Sequence, residues 1–123
     1  MRKKKLGIIN SFGFALKGCL TLLHSERNVK IHVFALFAVT LMGVFFHIST
    51  LEWAIVALCS GVVLAAEAIN TAMEEMVDLL HPAHCEKAGR IKDIAAAGVL
   101  ILAIASLTCG LFIFLPKVLL EFQ

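Results

Sequence analysis

The chain has 123 residues, of which 60% are hydrophobic and 16% charged, and its mean hydropathy is +0.93. Soluble domains carry about 25% charged residues and fewer apolar ones, so this balance excludes an ordinary soluble domain and predicts an all-α integral membrane protein. The formal net charge of +2 is modest, and its basic residues follow a membrane-topology pattern, which leaves no case for nucleic-acid binding.

In chain order, Arg2-Lys3-Lys4-Lys5 come first, and Leu6–Leu23 is then mostly apolar but interrupted by Asn10, Ser11 and Lys17. This pattern predicts an amphipathic helix lying in the membrane interface, within a surface-helix region over 6–30. A cleavable signal peptide also starts basic and continues apolar. Lys17 inside the apolar stretch and the lack of a small-residue cleavage site argue against it. Three membrane helices are then expected, over 31–48, 53–78 and 94–115, judged against the roughly 20 residues that cross about 30 Å of hydrocarbon. The third is the clearest, because Ile94–Leu115 carries no charge and stops at Pro116-Lys117. The second runs uncharged from Trp53 to Ala66 and then meets Glu67. Residues 1–123 therefore form a single membrane domain, since the pieces between spans are too short to fold alone.

The basic residues set the expected orientation. Arg2, Lys3, Lys4, Lys5, Lys17, Arg27 and Lys30 precede the first span, and Lys87, Arg90 and Lys92 lie in the 79–93 loop. The connection from His47 to Glu52 has none, and Lys117 alone follows the third span. The N-terminus and the 79–93 loop are expected on the cytoplasmic side of the membrane. Cys19, Cys59, Cys85 and Cys109 show neither CxxC nor metal-ligand spacing, so neither a disulfide framework nor a zinc site is expected.

The second span carries the informative polar residues. At 100° per residue, Glu67, Asn70, Glu74 and Asp78 share an arc of about 80°, with Glu75 just outside it. A carboxylate within a span costs about 2.5–3.5 kcal/mol on insertion scales, so it is rarely there without a role. Oxygen-rich, partly dry sites suit Mg²⁺, and a carboxylate shielded from water suits a general base. At 1.5 Å per residue Glu67 and Glu74 stand about 10 Å apart along the axis, so one as base and the other as metal ligand is expected. Asp78 and Glu75 are expected to have reached water, and the five histidines are read as solvated or boundary residues. Arg90, Lys92 and Asp93, just before the third span, form a candidate phosphate cradle. The chain has no GxxxxGK[ST], GxGxxG or kinase HRD and DFG motifs, so any active site must be built from the helices themselves.

The run Glu67-Ala68-Ile69-Asn70-Thr71-Ala72-Met73-Glu74-Glu75-Met76-Val77-Asp78 resembles the signature of the prokaryotic diacylglycerol kinase family, small membrane lipid kinases that include the undecaprenol kinases. Ser25-Glu26-Arg27-Asn28 before the first span, and Ala88-Gly89-Arg90-Ile91-Lys92-Asp93 leading to Ala95-Ala96-Ala97-Gly98-Val99, match in the same order. The similarity runs from about Ser11 to Pro116. His32, Glu52-Trp53 and Phe114-Leu115-Pro116-Lys117 resemble the undecaprenol kinase branch. Gly7 and Asn10 depart, standing where some members carry basic residues.

The resemblance implies a homotrimer in which each subunit has a surface helix and three spans. Its activity would be Mg²⁺-dependent phosphorylation of a lipid hydroxyl by ATP at the cytoplasmic face, with undecaprenol as acceptor or, alternatively, diacylglycerol. By match to the family, Glu67 would be the catalytic base and Asn70 would orient the reacting groups. Glu26 and Glu74 would bind metal. Phe14, Lys17, His84, Lys92 and Asp93 would contact the nucleotide. A small proton-coupled transporter also keeps a Glu inside a span, but it needs no acidic stripe running on into the cytoplasm and no Lys92-Asp93 cluster. A non-catalytic assembly subunit would account for Ala95–Gly98 as close helix packing and leaves Glu67 without a role.

Overall fold

The computed structural model describes residues 7–83 and 85–121. These form four helices, α1 Ile8–Ser25, α2 Arg27–Phe45, α3 Thr50–Leu80 and α4 Glu86–Glu121. The last three are long and apolar enough to cross a membrane, and the protein is an all-α integral membrane protein. Backbone hydrogen bonding dictates the choice, since in hydrocarbon a helix satisfies its own amides and an open strand does not.

Helix α1 buries none of its residues and packs chiefly on α2. A single non-helical residue, Glu26, separates the two: its extended backbone (φ −99°, ψ 120°) is at once the C-cap of α1 and the N-cap of α2. The first membrane helix therefore begins at Arg27, before the first apolar run, and ends at Phe45. Its end is a Schellman arrangement. The Ile48 amide donates to the Gly43 carbonyl (3.1 Å) and the His47 amide to that of Val44 (3.3 Å). This closure places His47 at φ 48°, in the left-handed region that glycine usually fills. Ile48 is buried, which supplies the hydrophobic contact typical of this cap.

Ser49 then starts α3 with a capping box. Its hydroxyl accepts from the Glu52 amide (3.3 Å), and its own amide donates to Glu52 Oε2 (2.7 Å). The other carboxylate oxygen of Glu52 meets Lys117 Nζ at 3.0 Å, which ties the α2–α3 turn to α4. Beneath it lies a cluster of Ile48, Val56, Ile113 and Phe114, flanked by Val39, Phe46, Trp53 and Ile55. Gly43 lets the Trp53 ring approach this closely: a Cβ at position 43 would stand 2.7 Å from Trp53 Cη2.

Helices α3 and α4 make the most extensive pairing, followed by α2 and α3. Both pairs are antiparallel. Glu52, Cys59 and Asp78 of α3 meet Lys117, Ser106 and Lys92 of α4 in reverse order, while Gly43 and His32 of α2 meet Trp53 and Glu67 of α3. Helix α4 does not stop at Pro116 but continues to Glu121. A proline within a helix lacks the N–H that would reach back four residues, and the helix can run past it where the apolar face still packs.

Candidate active site

The buried polar residues of the described chain, Glu67, Asn70 and Thr71, fall within little more than one turn of α3. Glu67 is 3% exposed. An ionised or hydrogen-bonding group so placed needs partners, because desolvation without them costs several kcal/mol. Glu67 finds one on α2, where His32 Nε2 lies 3.1 Å from its Oε1. Asn70, one turn on, donates from Nδ2 to Glu74 Oε1 at 2.8 Å. The Oδ1 of Asn70 is buried with no partner among the described residues. The two acids at the ends of the stripe thus have separate partners, and an acceptor atom stands free between them.

Glu67 and Asn70 line an open pocket of about 260 Å³ together with Asn28, Ile31 and His32 from α2, and Ala96, Val99, Leu100 and Ala103 from α4. The small alanines on α4 leave the space that a larger side chain would fill. His32 and Ala103 also line a second cleft, which runs past Val39 and Val56 to Ile113 and is almost wholly apolar. The two spaces share His32 and Ala103 and lie between α2, α3 and α4; both are lined mainly by apolar side chains, with Asn28, Glu67 and Asn70 grouped in the first. A mainly apolar space with a few polar groups at one place suits an amphiphile with a polar head and a hydrocarbon tail.

Glu26 stands half-buried at the α1–α2 junction, and its carboxylate makes no capping hydrogen bond. The N-terminus of α2, with its unsatisfied amides, favours negative charge there. Glu74 is half-buried beside the free Asn70 oxygen. Among the described residues no three His, Cys, Asp or Glu side chains stand together as a metal cage. Mg²⁺ needs none, since it is commonly held by one or two carboxylates with water and phosphate oxygens completing its octahedron. Glu74, with the free Asn70 oxygen beside it, offers oxygen donors of that kind.

Lys92 forms an ion pair with Asp78 across the α3–α4 gap, so Asp78, read from the sequence as merely solvated, is paired although still exposed. Asp93 is exposed on the same helix end. Phe14 and Lys17 are exposed on α1, and neither lines the pocket. His84 lies outside the described residues. His32, expected from the sequence at a solvated or boundary position, instead partners the buried acid, and sequence reasoning missed it. One signal was present: Asn28 and His32, four residues apart, share a face at the start of an otherwise apolar helix.

A family profile described as prokaryotic diacylglycerol kinase matches residues 13–114. The chain belongs to the prokaryotic diacylglycerol kinase family. It is similar to an undecaprenol kinase of Bacillus subtilis, with 39% identity over 107 residues that cover 87% of each chain. It is also similar to a diacylglycerol kinase of Synechocystis sp., with 35% identity over 113 residues, 91% of this chain and 65% of that protein. Membership makes this chain a lipid kinase, a membrane-embedded transferase whose nucleotide co-substrate is implied by the family. The buried acid–amide stripe on α3 lies wholly within the matched region.

Proposed function

We propose that this lipid kinase transfers the γ-phosphoryl group of ATP to the terminal hydroxyl of undecaprenol, with Mg²⁺, at the cytoplasmic face of the bacterial plasma membrane, and that it does so as a homotrimer. The carrying observation is the position of Glu67: a buried carboxylate lining a pocket that shares His32 and Ala103 with a neighbouring apolar cleft. A lipid alcohol can reach it without leaving the bilayer. The reaction proceeds as the lipid oxygen bonds to the γ-phosphorus while the bond from that phosphorus to the ADP oxygen breaks. Glu67 accepts the hydroxyl proton. Asn70 presents its free Oδ1 to the reacting groups and holds Glu74 with its amide N–H.

Glu74 and Glu26 would hold Mg²⁺, which when bound neutralises charge on the polyphosphate. Phe14 and Lys17 on α1, His84, and Lys92 with Asp93 on α4 are assigned to the nucleotide. Lys92 already stands at the pocket end of α4, held by Asp78. Undecaprenol is preferred because the similarity to the undecaprenol kinase covers 87% of both chains, and because one apolar cleft suits a single polyisoprenoid chain. Diacylglycerol, named for the Synechocystis relative, is the second acceptor to test. Purified protein in detergent, given ATP and Mg²⁺, is expected to phosphorylate undecaprenol with a higher kcat/KM than diacylglycerol. The reverse order would reassign the acceptor, and no transfer to either alcohol would overturn the proposal.

A further inference from the structure

A carboxylate accepts hydrogen bonds and cannot donate them, so the 3.1 Å contact between His32 Nε2 and Glu67 Oε1 places a proton on Nε2 whenever Glu67 is ionised. The pair joins residues 35 positions apart, on two different helices. The imidazole is 24% exposed and the carboxylate side chain 4%. Glu67 is the titratable group that faces the ring from α3. From α2 the neighbouring polar residue is Asn28, and α4 presents only apolar side chains to this chamber. Cys59 and Cys109 line the farther cleft. Among the residues lining these two spaces, Glu67 is the one carboxylate.

We infer that His32 is a positioning residue for the general base. Its Nε2–H holds Oε1 of Glu67 and leaves Oε2 for the lipid hydroxyl, and it does this productively only as the neutral ring. The inference rests on the reading of Glu67 as base. During the step the hydroxyl proton passes to Oε2 of Glu67 as the oxygen–phosphorus bond forms and the bond to the leaving nucleotide oxygen breaks. His32 keeps its own proton throughout. An imidazolium in the same place would stabilise the ionised carboxylate and make it a poorer proton acceptor. A charged ring therefore lowers activity, so an acid limb in the rate profile belongs to His32.

The experiment measures kcat against pH, with undecaprenol in detergent micelles and Mg-ATP, for the unaltered chain, His32→Leu, His32→Gln and Glu67→Gln. Ring ¹⁵N shifts of His32 are recorded alongside. His32→Leu is expected to lower kcat by about 10- to 100-fold, the scale of misplacing a catalytic group by an ångström, with the KM for ATP unchanged. His32→Gln, whose amide can donate the same hydrogen bond, recovers most of the rate and loses the acid limb. The ¹⁵N shifts report the Nε2–H tautomer in the unaltered chain and a changed tautomer balance in Glu67→Gln. A Leu variant with normal rate and profile, while Glu67→Gln is inactive, overturns the role of His32 and leaves Glu67 as base. Equal losses in the Leu and Gln variants with an unaltered acid limb mark a structural role and also overturn it. Should the Leu variant fail to fold, the acid limb of the Gln variant decides alone. Near-normal turnover in Glu67→Gln removes the base itself, and the inference with it.

Discussion

Glu67, Asn70 and Glu74 sit on one face of α3 because their spacing follows the helical period, and their differing surroundings give them different work. Glu67 is sealed among apolar side chains with one histidine partner; Glu74 looks toward water with an amide at its side. Replacing Glu67 by Gln is expected to lower kcat by about 10²-fold or more, the usual scale for losing a general base, with nucleotide affinity little changed. Normal turnover with weakened lipid or ATP binding would make it a binding residue instead. Glu74→Gln and Glu26→Gln are each expected to raise the Mg²⁺ concentration needed for half-maximal activity while the protein stays folded. A Mg²⁺ titration matching the unaltered chain in both variants would remove these acids from the metal site. The acidic face of α3 was legible in the sequence because polar side chains recurring on one stripe of an apolar span are costly to insert and are rarely kept there without a role. The partner of Glu67 was not, since a contact across 35 residues is made by helix packing and leaves no local pattern beyond the spacing of Asn28 and His32.

The turn between α2 and α3 is specified residue by residue, and its devices can be tested singly. Ser49→Ala removes the hydroxyl that accepts from the Glu52 amide and is expected to cost about 1 kcal/mol, as N-cap losses commonly do. His47→Gly relieves the left-handed backbone at φ 48° and should stabilise by about 0.5–1 kcal/mol after the added flexibility of the unfolded chain is counted. Thermal unfolding in one detergent checks both signs. A stabilised Ser49→Ala or a destabilised His47→Gly would show that the turn is held by other contacts. Helices and their apolar faces were legible from run length and charge, but their limits were not. The apolar run predicts a stop at Pro116, yet α4 proceeds, because one missing hydrogen bond does not by itself end a helix and Lys117 just beyond it is tied to Glu52. Helix α2 starts at Arg27 among polar residues, since a helix outside hydrocarbon needs no apolar composition.

At the scale of the whole molecule, Arg27, Lys30, Lys87, Arg90 and Lys92 lie at the helix ends that carry Glu26 and Asp78, while Lys117 stands at the opposite end beside Glu52. Cysteine labelling in intact cells tests the orientation this implies. On a cysteine-free background, Thr50→Cys is expected to react with a membrane-impermeant maleimide added from outside and Lys87→Cys is not; both positions are exposed, whereas the neighbouring Ala88 is buried and would stay silent on either side. The opposite pattern would put the acid stripe on the face without ATP. The connections between helices have a further consequence for which relatives of this chain can exist. One residue separates α1 from α2, and a capped turn of residues 46–49 separates α2 from α3. Adding one residue at Glu26 would lengthen this one-residue hinge and shift α1, with Phe14 and Lys17, relative to α2. A similar addition within 46–49 would break both caps at once. Insertions and deletions among functional homologues should therefore be rare in both of these short connections.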